Sequence, residues 1–295
     1  MAVNIVDNMA DKFRAFLNNL AIDNQATISE RTKAVTRAIN QQYWHMRSDT
    51  RNIHFLGSYG RDTAIKGLTN INLLAVLPGQ VYKRFQSHPG NGQASLMLEM
   101  RESIKHISMG AYINSEGCLL MPVDNLTIEI IPGFATDKKA FLYPESHDGW
   151  RWATFNPLRE IEAIDEYNYK YGGKVKHLAK MMRAWRAAYQ AQIPGMLIDT
   201  LVMNFMDDWE GNSTSFAYYG YMCLDFLEYV AGLRKEQLVW YAKGSNRKLT
   251  REDDFGAHAY TAYKKAKQAL QLENEGSSPR ASQAWREVFG PLFPI

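Results

Sequence analysis

The chain has 295 residues, 46% of them apolar and 22% charged, with a net charge of +3 and two cysteines. That balance is the one of an ordinary soluble globular protein and excludes a disordered or fibrous chain. No apolar run nears the roughly 20 residues of a membrane span, the N-terminus lacks the layout of a signal peptide, and two distant cysteines, Cys118 and Cys223, cannot form a metal cluster alone, so a reducing cytoplasm is the expected location. From the N-terminus, Val6, Met9, Phe13, Phe16, Leu17 and Leu20 recur at helical spacing, and a second helix is expected over 29–46, carrying Thr32, Val35, Ile39 and Tyr43. A short strand over 53–56 then meets a Gly-Ser turn at Gly57 and Ser58, a short helix or turn with Arg61 and Thr63, and an apolar strand over 71–77. A helix over 94–109 and strands over 111–114, 117–121 and 126–131 follow, and residues 136–157 show no regular pattern.

Beyond Ile161 the strand-like alternation ends. Helices are expected over 174–189, 193–209, 215–233 and 264–273, with a polar hinge, KGSNRKLTREDD, between the last two. In the first of these, Val175, Leu178, Met182 and Trp185 share a face, while Lys180, Arg183 and Arg186 point elsewhere. Strands first and helices after indicate an α+β class, with a mixed strand-and-helix lobe at 1–160 and a helical lobe at 161–295.

The segment HFLGSYGRDTAIKGLTNINLLAVLP carries the chemistry. Asn70 and Asn72 are two apart on a strand, so their side chains share a face. Together with a Gly-Ser turn that offers N–H groups and a hydroxyl to phosphate, this is the layout of a metal-dependent phosphoryl-transfer site. The residue type conflicts with that reading, because a hard dication wants carboxylates and both positions are Asn.

GSYGRDTAIKG followed by TNINLLAVL resembles the opening signature of the nucleotidyltransferase superfamily, and most closely the bacterial cGAS/DncV-like nucleotidyltransferases of CBASS anti-phage signalling. NLTIEIIPGF, GWRWATFNP, the basic helix KVKHLAKMMRAWRAAY and the tail AWREVFGPLFP extend the resemblance along the chain, while Gly195 and Asp199 replace the usual Ser and Glu of the following helix. The resemblance implies a bilobed fold, with N-terminal spine helices on a mixed-sheet catalytic lobe and an all-helical C-terminal lobe. It implies metal and catalytic positions at Asn70, Asn72 and Glu129, with carboxylates expected at 70 and 72 in an active form. Nucleotide-binding positions would be Gly57, Ser58, Arg61, Thr63, Lys180 and Arg183, with a triphosphate between the lobes. Mg²⁺ or Mn²⁺ is the implied cofactor and nucleoside triphosphates, ATP first, the implied substrates. The implied product is a cyclic di- or trinucleotide second messenger, adenine-containing, for anti-phage defence. Double-stranded DNA or a HORMA-type protein are the implied activators, and no membrane is involved. With amides at 70 and 72, turnover is expected to be very slow or absent, whether both Asp were replaced by design or the chain is a natural pseudoenzyme. Two other readings stay open: a non-catalytic nucleotide or nucleic-acid binding module that regulates a partner, and a linear polymerase.

Overall fold

The computed structural model describes residues 9–136, 140–147, 149–211 and 215–295, so the expected helical position Val6 lies outside the described residues. The chain divides into two compact units: residues 23–61 with 67–161, and the described residues through Ile22 with 62–66 and 162–295. This corrects the expected division at 160/161 in two places. Helix α1 (Met9–Asn19) and the stretch Asp62–Lys66 belong with the helical unit. The cause for α1 is its aromatic face: Phe13 and Phe16 are buried against the C-terminal aromatics, with ring centroids 5.2 Å from Phe13 to Trp285 and 5.0 Å from Phe16 to Phe289. Such rings bring large apolar area together in edge or offset geometry. The buried Lys12 ammonium donates to the Ser282 hydroxyl at 2.7 Å on the same face. The Lys66 N–H donates to the Leu20 carbonyl at 2.8 Å, which ties 62–66 to α1.

The sheet unit contains α2 (Gln25–Trp44), β1 (Ile53–Leu56), α3 (Gly57–Gly60), β2 (Asn70–Val76), α4 (Gly79–Gln86), α5 (Gly92–Ile104), β3 (Tyr112–Ile113), β4 (Leu119–Val123), β5 (Leu126–Ala135), β6 (Phe141–Glu145) and β7 (Arg151–Phe155). The strand order is β1-β2-β5-β4-β3, with β6 on the far end of β5 and β7 on β6. Among the described strands only β2 and β5 run parallel, and the crossover between them carries α4, α5, β3 and β4. The class is α+β, as expected. Strands β6 and β7 correct the expectation that 136–157 is irregular. Trp152 explains part of it: it packs edge-on to Phe134 and Tyr82 at 5.6 and 5.1 Å, so this aromatic stretch covers the sheet as a strand.

Helix α6 (Pro157–Lys170) contains the boundary at 161/162, and α7 (Lys174–Tyr189), α8 (Gly195–Asp208), α9 (Tyr219–Ala231), a hairpin of β8 (Val239–Tyr241) and β9 (Lys248–Thr250), α10 (Phe255–Asn274) and α11 (Ser278–Phe289) complete the helical unit. The hairpin corrects the expected polar hinge: Asn246 and Gly244 take positive φ, and the Ala242 N–H closes onto the Arg247 carbonyl at 2.8 Å. Helix α8 is buried nearly all round, with Leu197, Leu201, Val202 and Met203 fully enclosed beside Trp185 and Trp285. No described helix is long and apolar enough to cross a membrane.

Candidate functional site

The seam between β2 and β5 organises the site. In its parallel register Asn70 faces Thr127 and Asn72 faces Glu129, and paired residues of neighbouring strands point to the same side of the sheet. That face changes character along its length. Its far end is apolar, with Leu74, Val76 and Ile131 joining Leu56 and Phe141 in a small core, while its near end carries Asn70, Asn72 and Glu129 with partial exposure. The opposite face, Ile71, Leu73, Ile128 and Ile130, is fully buried. A half-buried strand pair thus sets three polar side chains at one end of an otherwise apolar surface.

The Gly-Ser turn adjoins that end. Leu56, the last residue of β1, is the register partner of Asn72, and the chain passes directly into α3. Gly57 sits at φ +63°, a left-handed conformation that disfavours any Cβ, and a Cβ there would lie 3.8 Å from the Asn72 amide. Ser58 follows in the same turn. Gly60 is glycine for a different reason: a Cβ would meet the Phe55 carbonyl oxygen at 2.2 Å. The structure therefore brings together Gly57, Ser58, Asn70, Asn72 and Glu129.

Glu129 has a neighbour that sequence reasoning treated only as a buried thiol. Burial, and then the adjacent Glu129 carboxylate, push the Cys118 thiol up to about 12, and the thiol hydrogen-bonds that carboxylate. It is neutral at any physiological pH. No spacing rule would have found it, because Cys118 precedes β4 and meets Glu129 across the sheet. As a magnesium centre the donor set fails. One carboxylate and two neutral amides face the space, and among the described residues no group of three or more His, Cys, Asp or Glu is placed to hold a metal ion. Two dications brought against a triphosphate need more negative oxygen than Glu129 supplies, so the residues present do not fit a two-magnesium site.

Four further candidates lie elsewhere. Arg61 is buried within the sheet unit and its guanidinium is 3.6 Å from the Glu160 carboxylate, both side chains being about 5% exposed. Thr63 is fully buried in the helical unit and donates to the Asp199 carboxylate at 3.2 Å. Arg183 is 3% exposed and makes a two-pronged pair with the same carboxylate, at 2.6 and 2.9 Å, while donating to the Gly195 and Ala179 carbonyls. Arg61, Thr63 and Arg183 are thus buried and engaged by partners of the protein itself. Lys180 is partly exposed and pairs with Asp62 at 2.8 Å, and Lys176 reaches the same Asp62 at 3.7 Å. Sequence reasoning missed Asp62 and Glu160, and noted Asp199 only as a departure from the resembled family; its signal is an acidic residue inside the apolar run MLIDTLVM, where an unpaired charge would be costly.

Comparison with known proteins gives the family. Residues 8–168 match the Second Messenger Oligonucleotide or Dinucleotide Synthetase domain. A probable cyclic nucleotide synthase of Bacillus cereus (strain VD146) is 21% identical over 175 residues, 56% of this chain; the match spans about half, 51%, of that relative's length. Among solved structures, CdnC of E. coli MS115-1 in complex with HORMA-deltaN is 12% identical with a TM-score of 0.68, covering 96% of each chain. The apo form of DncV from Vibrio cholerae is 12% identical with a TM-score of 0.68, over 98% of this chain and 96% of that one. The nucleotidyltransferase CdnG of Bradyrhizobium diazoefficiens in complex with GTP is 13% identical with a TM-score of 0.65, over 98% and 96%. At these identities the solved structures establish the fold. The family match reaches over half of the 295 residues and takes in the whole Gly57 to Glu129 constellation, so this chain belongs to the Second Messenger Oligonucleotide or Dinucleotide Synthetase family.

Proposed function

We propose that the chain is a framework for joining nucleoside triphosphates into a cyclic oligonucleotide, adenine-containing, which binds its triphosphate while amides at 70 and 72 hold it catalytically silent. The observation that carries this reading is the seam itself: Asn72 in register with Glu129, and the Cβ-less Gly57 beside the Asn72 amide. In this reading Gly57 leaves its backbone open to the terminal phosphates, and Ser58 donates its hydroxyl to a phosphate oxygen. An amide differs from a carboxylate in offering N–H donors as well as an oxygen, so Asn70 and Asn72 can bond phosphate oxygens directly. Glu129 is the remaining carboxylate, set to accept a proton from an acceptor hydroxyl. With Asp at 70 and 72 the same three positions would hold Mg²⁺ or Mn²⁺, whose chemistry is charge neutralisation at the transferring phosphate.

The GTP complex of CdnG supports nucleoside triphosphates as the substrate class, and the CdnC complex supports a HORMA-type protein as a partner. Double-stranded DNA is kept as an alternative activator, and action in the cytoplasm against phage is part of the proposal. A second reading, a non-catalytic nucleotide-binding module that regulates a partner, is favoured by the same missing carboxylates. ATP titration with and without Mg²⁺ tests the reading. The chain as it stands should bind ATP with little dependence on Mg²⁺, and Asn70→Asp with Asn72→Asp should make binding depend on it. No ATP binding by either protein overturns the proposal, and a restored pair that stays insensitive to Mg²⁺ favours the module.

A further inference from the structure

An open pocket lies within the helical unit, where the chain turns from α7 into α8. It has a volume of about 350 Å³ and is lined by Arg186, Gln190, Gln192, Ile193, Pro194 and Glu252. That size falls within the range of small-molecule sites. Gln190 turns the chain there, at φ +51°.

Arg186 is the unusual member. Its neighbour Arg183 spends its guanidinium on Asp199 and two carbonyls. Arg186 is half-buried, and among the described residues its one hydrogen bond is a long one, 3.4 Å, to the Ile193 carbonyl. Burial, and then the charge of Arg183, draw its pKa down. A guanidinium carries five N–H donors and stays charged regardless. Arg186 lines a polar pocket, beside a second arginine whose charge opposes its own and within the field of Asp199, which partly offsets that repulsion. A desolvated cation in that position gains most from an oxyanion bound by two parallel N–H groups. The Gln192 amide donates to the Gln190 carbonyl at 3.2 Å and has a second N–H for the rim, the Gln190 amide adds further donors, and Glu252 adds an acceptor for a hydroxyl or amino group.

We infer that this cavity is a binding site for the phosphate or carboxylate group of a small molecule, with Arg186 as its anchoring cation. The site is separate from the β2/β5 seam and stands whether or not the seam binds nucleotide.

Isothermal titration of the full chain with orthophosphate, and separately with acetate, at ionic strength held constant with chloride, reads it directly. Saturable binding of either anion is expected, and the anion that binds identifies the source chemistry. Arg186→Gln should weaken that binding at least about tenfold, the loss of about 1.4 kcal/mol. Gln192→Glu, at an exposed position, should weaken it too, by adding a second carboxylate to the pocket that Glu252 already lines, without touching the core. Ser58→Ala should leave it unchanged, which separates this cavity from the seam. Absence of saturable binding of both anions, or binding that survives Arg186→Gln and Gln192→Glu alike, overturns the inference.

Discussion

Removing the Asp199 carboxylate by Asp199→Ala should be the most damaging single change in the helical unit. Asp199 is fully buried and Arg183 is 3% exposed, so the guanidinium left behind could reach neither water nor another carboxylate. Thr63 would lose its acceptor as well. Breaking a buried pair by deleting one partner costs about 3–5 kcal/mol, because an uncompensated charge stays in the interior. For a unit of this size that is a fall in Tm of roughly 6–20 °C, at about 2–4 °C per kcal/mol. Arg183→Met combined with Asp199→Leu removes both charges and fills the space, and should recover at least about 2 kcal/mol of the loss, since apolar replacements of buried pairs are tolerated. Recovery should be incomplete, because the Gly195 and Ala179 carbonyls lose their donor. Urea unfolding followed by tryptophan fluorescence suits the test, since Trp185 and Trp285 are both fully buried in this unit. A loss below about 1 kcal/mol for Asp199→Ala, or a double variant no more stable than the single one, refutes the argument.

The two glycines of the GSYG turn should respond differently to alanine. Gly57→Ala pays for its left-handed backbone only, about 1 kcal/mol, whereas Gly60→Ala drives a Cβ into the Phe55 carbonyl and should cost several times more; paired denaturation curves compare them. Cys118 should react slowly with iodoacetamide at pH 8 despite its partial exposure, and Glu129→Gln should speed the reaction, since removing the carboxylate lowers the thiol pKa from about 12; an unchanged rate would contradict the contact. His177, hydrogen-bonded to the Tyr219 hydroxyl at 2.7 Å, is held below the ordinary histidine range by burial and then by Lys180, and His54 by burial alone. The unfolded chain therefore binds more protons between those lowered values and about 6.5, so stability is lost as pH falls through that window. Tm should be lower at pH 5.5 than at pH 7.5, with a smaller difference in His177→Gln, and a flat profile would speak against the assignment.

What the sequence revealed and what it concealed follow from the range of the interactions. The strand at 71–77, its paired polar residues and the strand around Glu129 were legible because period-2 alternation is local and strong in NINLLAV and LTIEII. The parallel register that sets Asn72 opposite Glu129 is a tertiary fact, which family resemblance suggested and local pattern did not. Strand β5, expected over 126–131, continues past Pro132 to Ala135 by exchanging β2 for β6 as its partner. Strands β6 and β7 were hidden by Pro144 and by aromatic residues without clean alternation. Arg183 shows the deepest limit. A helical wheel shows a basic residue beside an apolar face, but whether it meets phosphate or a buried carboxylate depends on which side chain the next helix places opposite. The partners of Arg61 and Thr63 were hidden for the same reason, lying about a hundred residues or more away in the chain.

The central claim is that the β2/β5 seam is a nucleotidyl-transfer site lacking two carboxylates. Its most direct test is mass spectrometry of products formed from mixed nucleoside triphosphates with Mg²⁺ or Mn²⁺, with double-stranded DNA or a HORMA-type protein added, by Asn70→Asp with Asn72→Asp and by the unaltered chain. The account predicts cyclic oligonucleotide from the restored protein, almost none from the unaltered one, and loss of the restored activity on adding Glu129→Gln. Absence of any oligonucleotide from the restored protein under all those conditions, or equal amounts from both proteins, would contradict it.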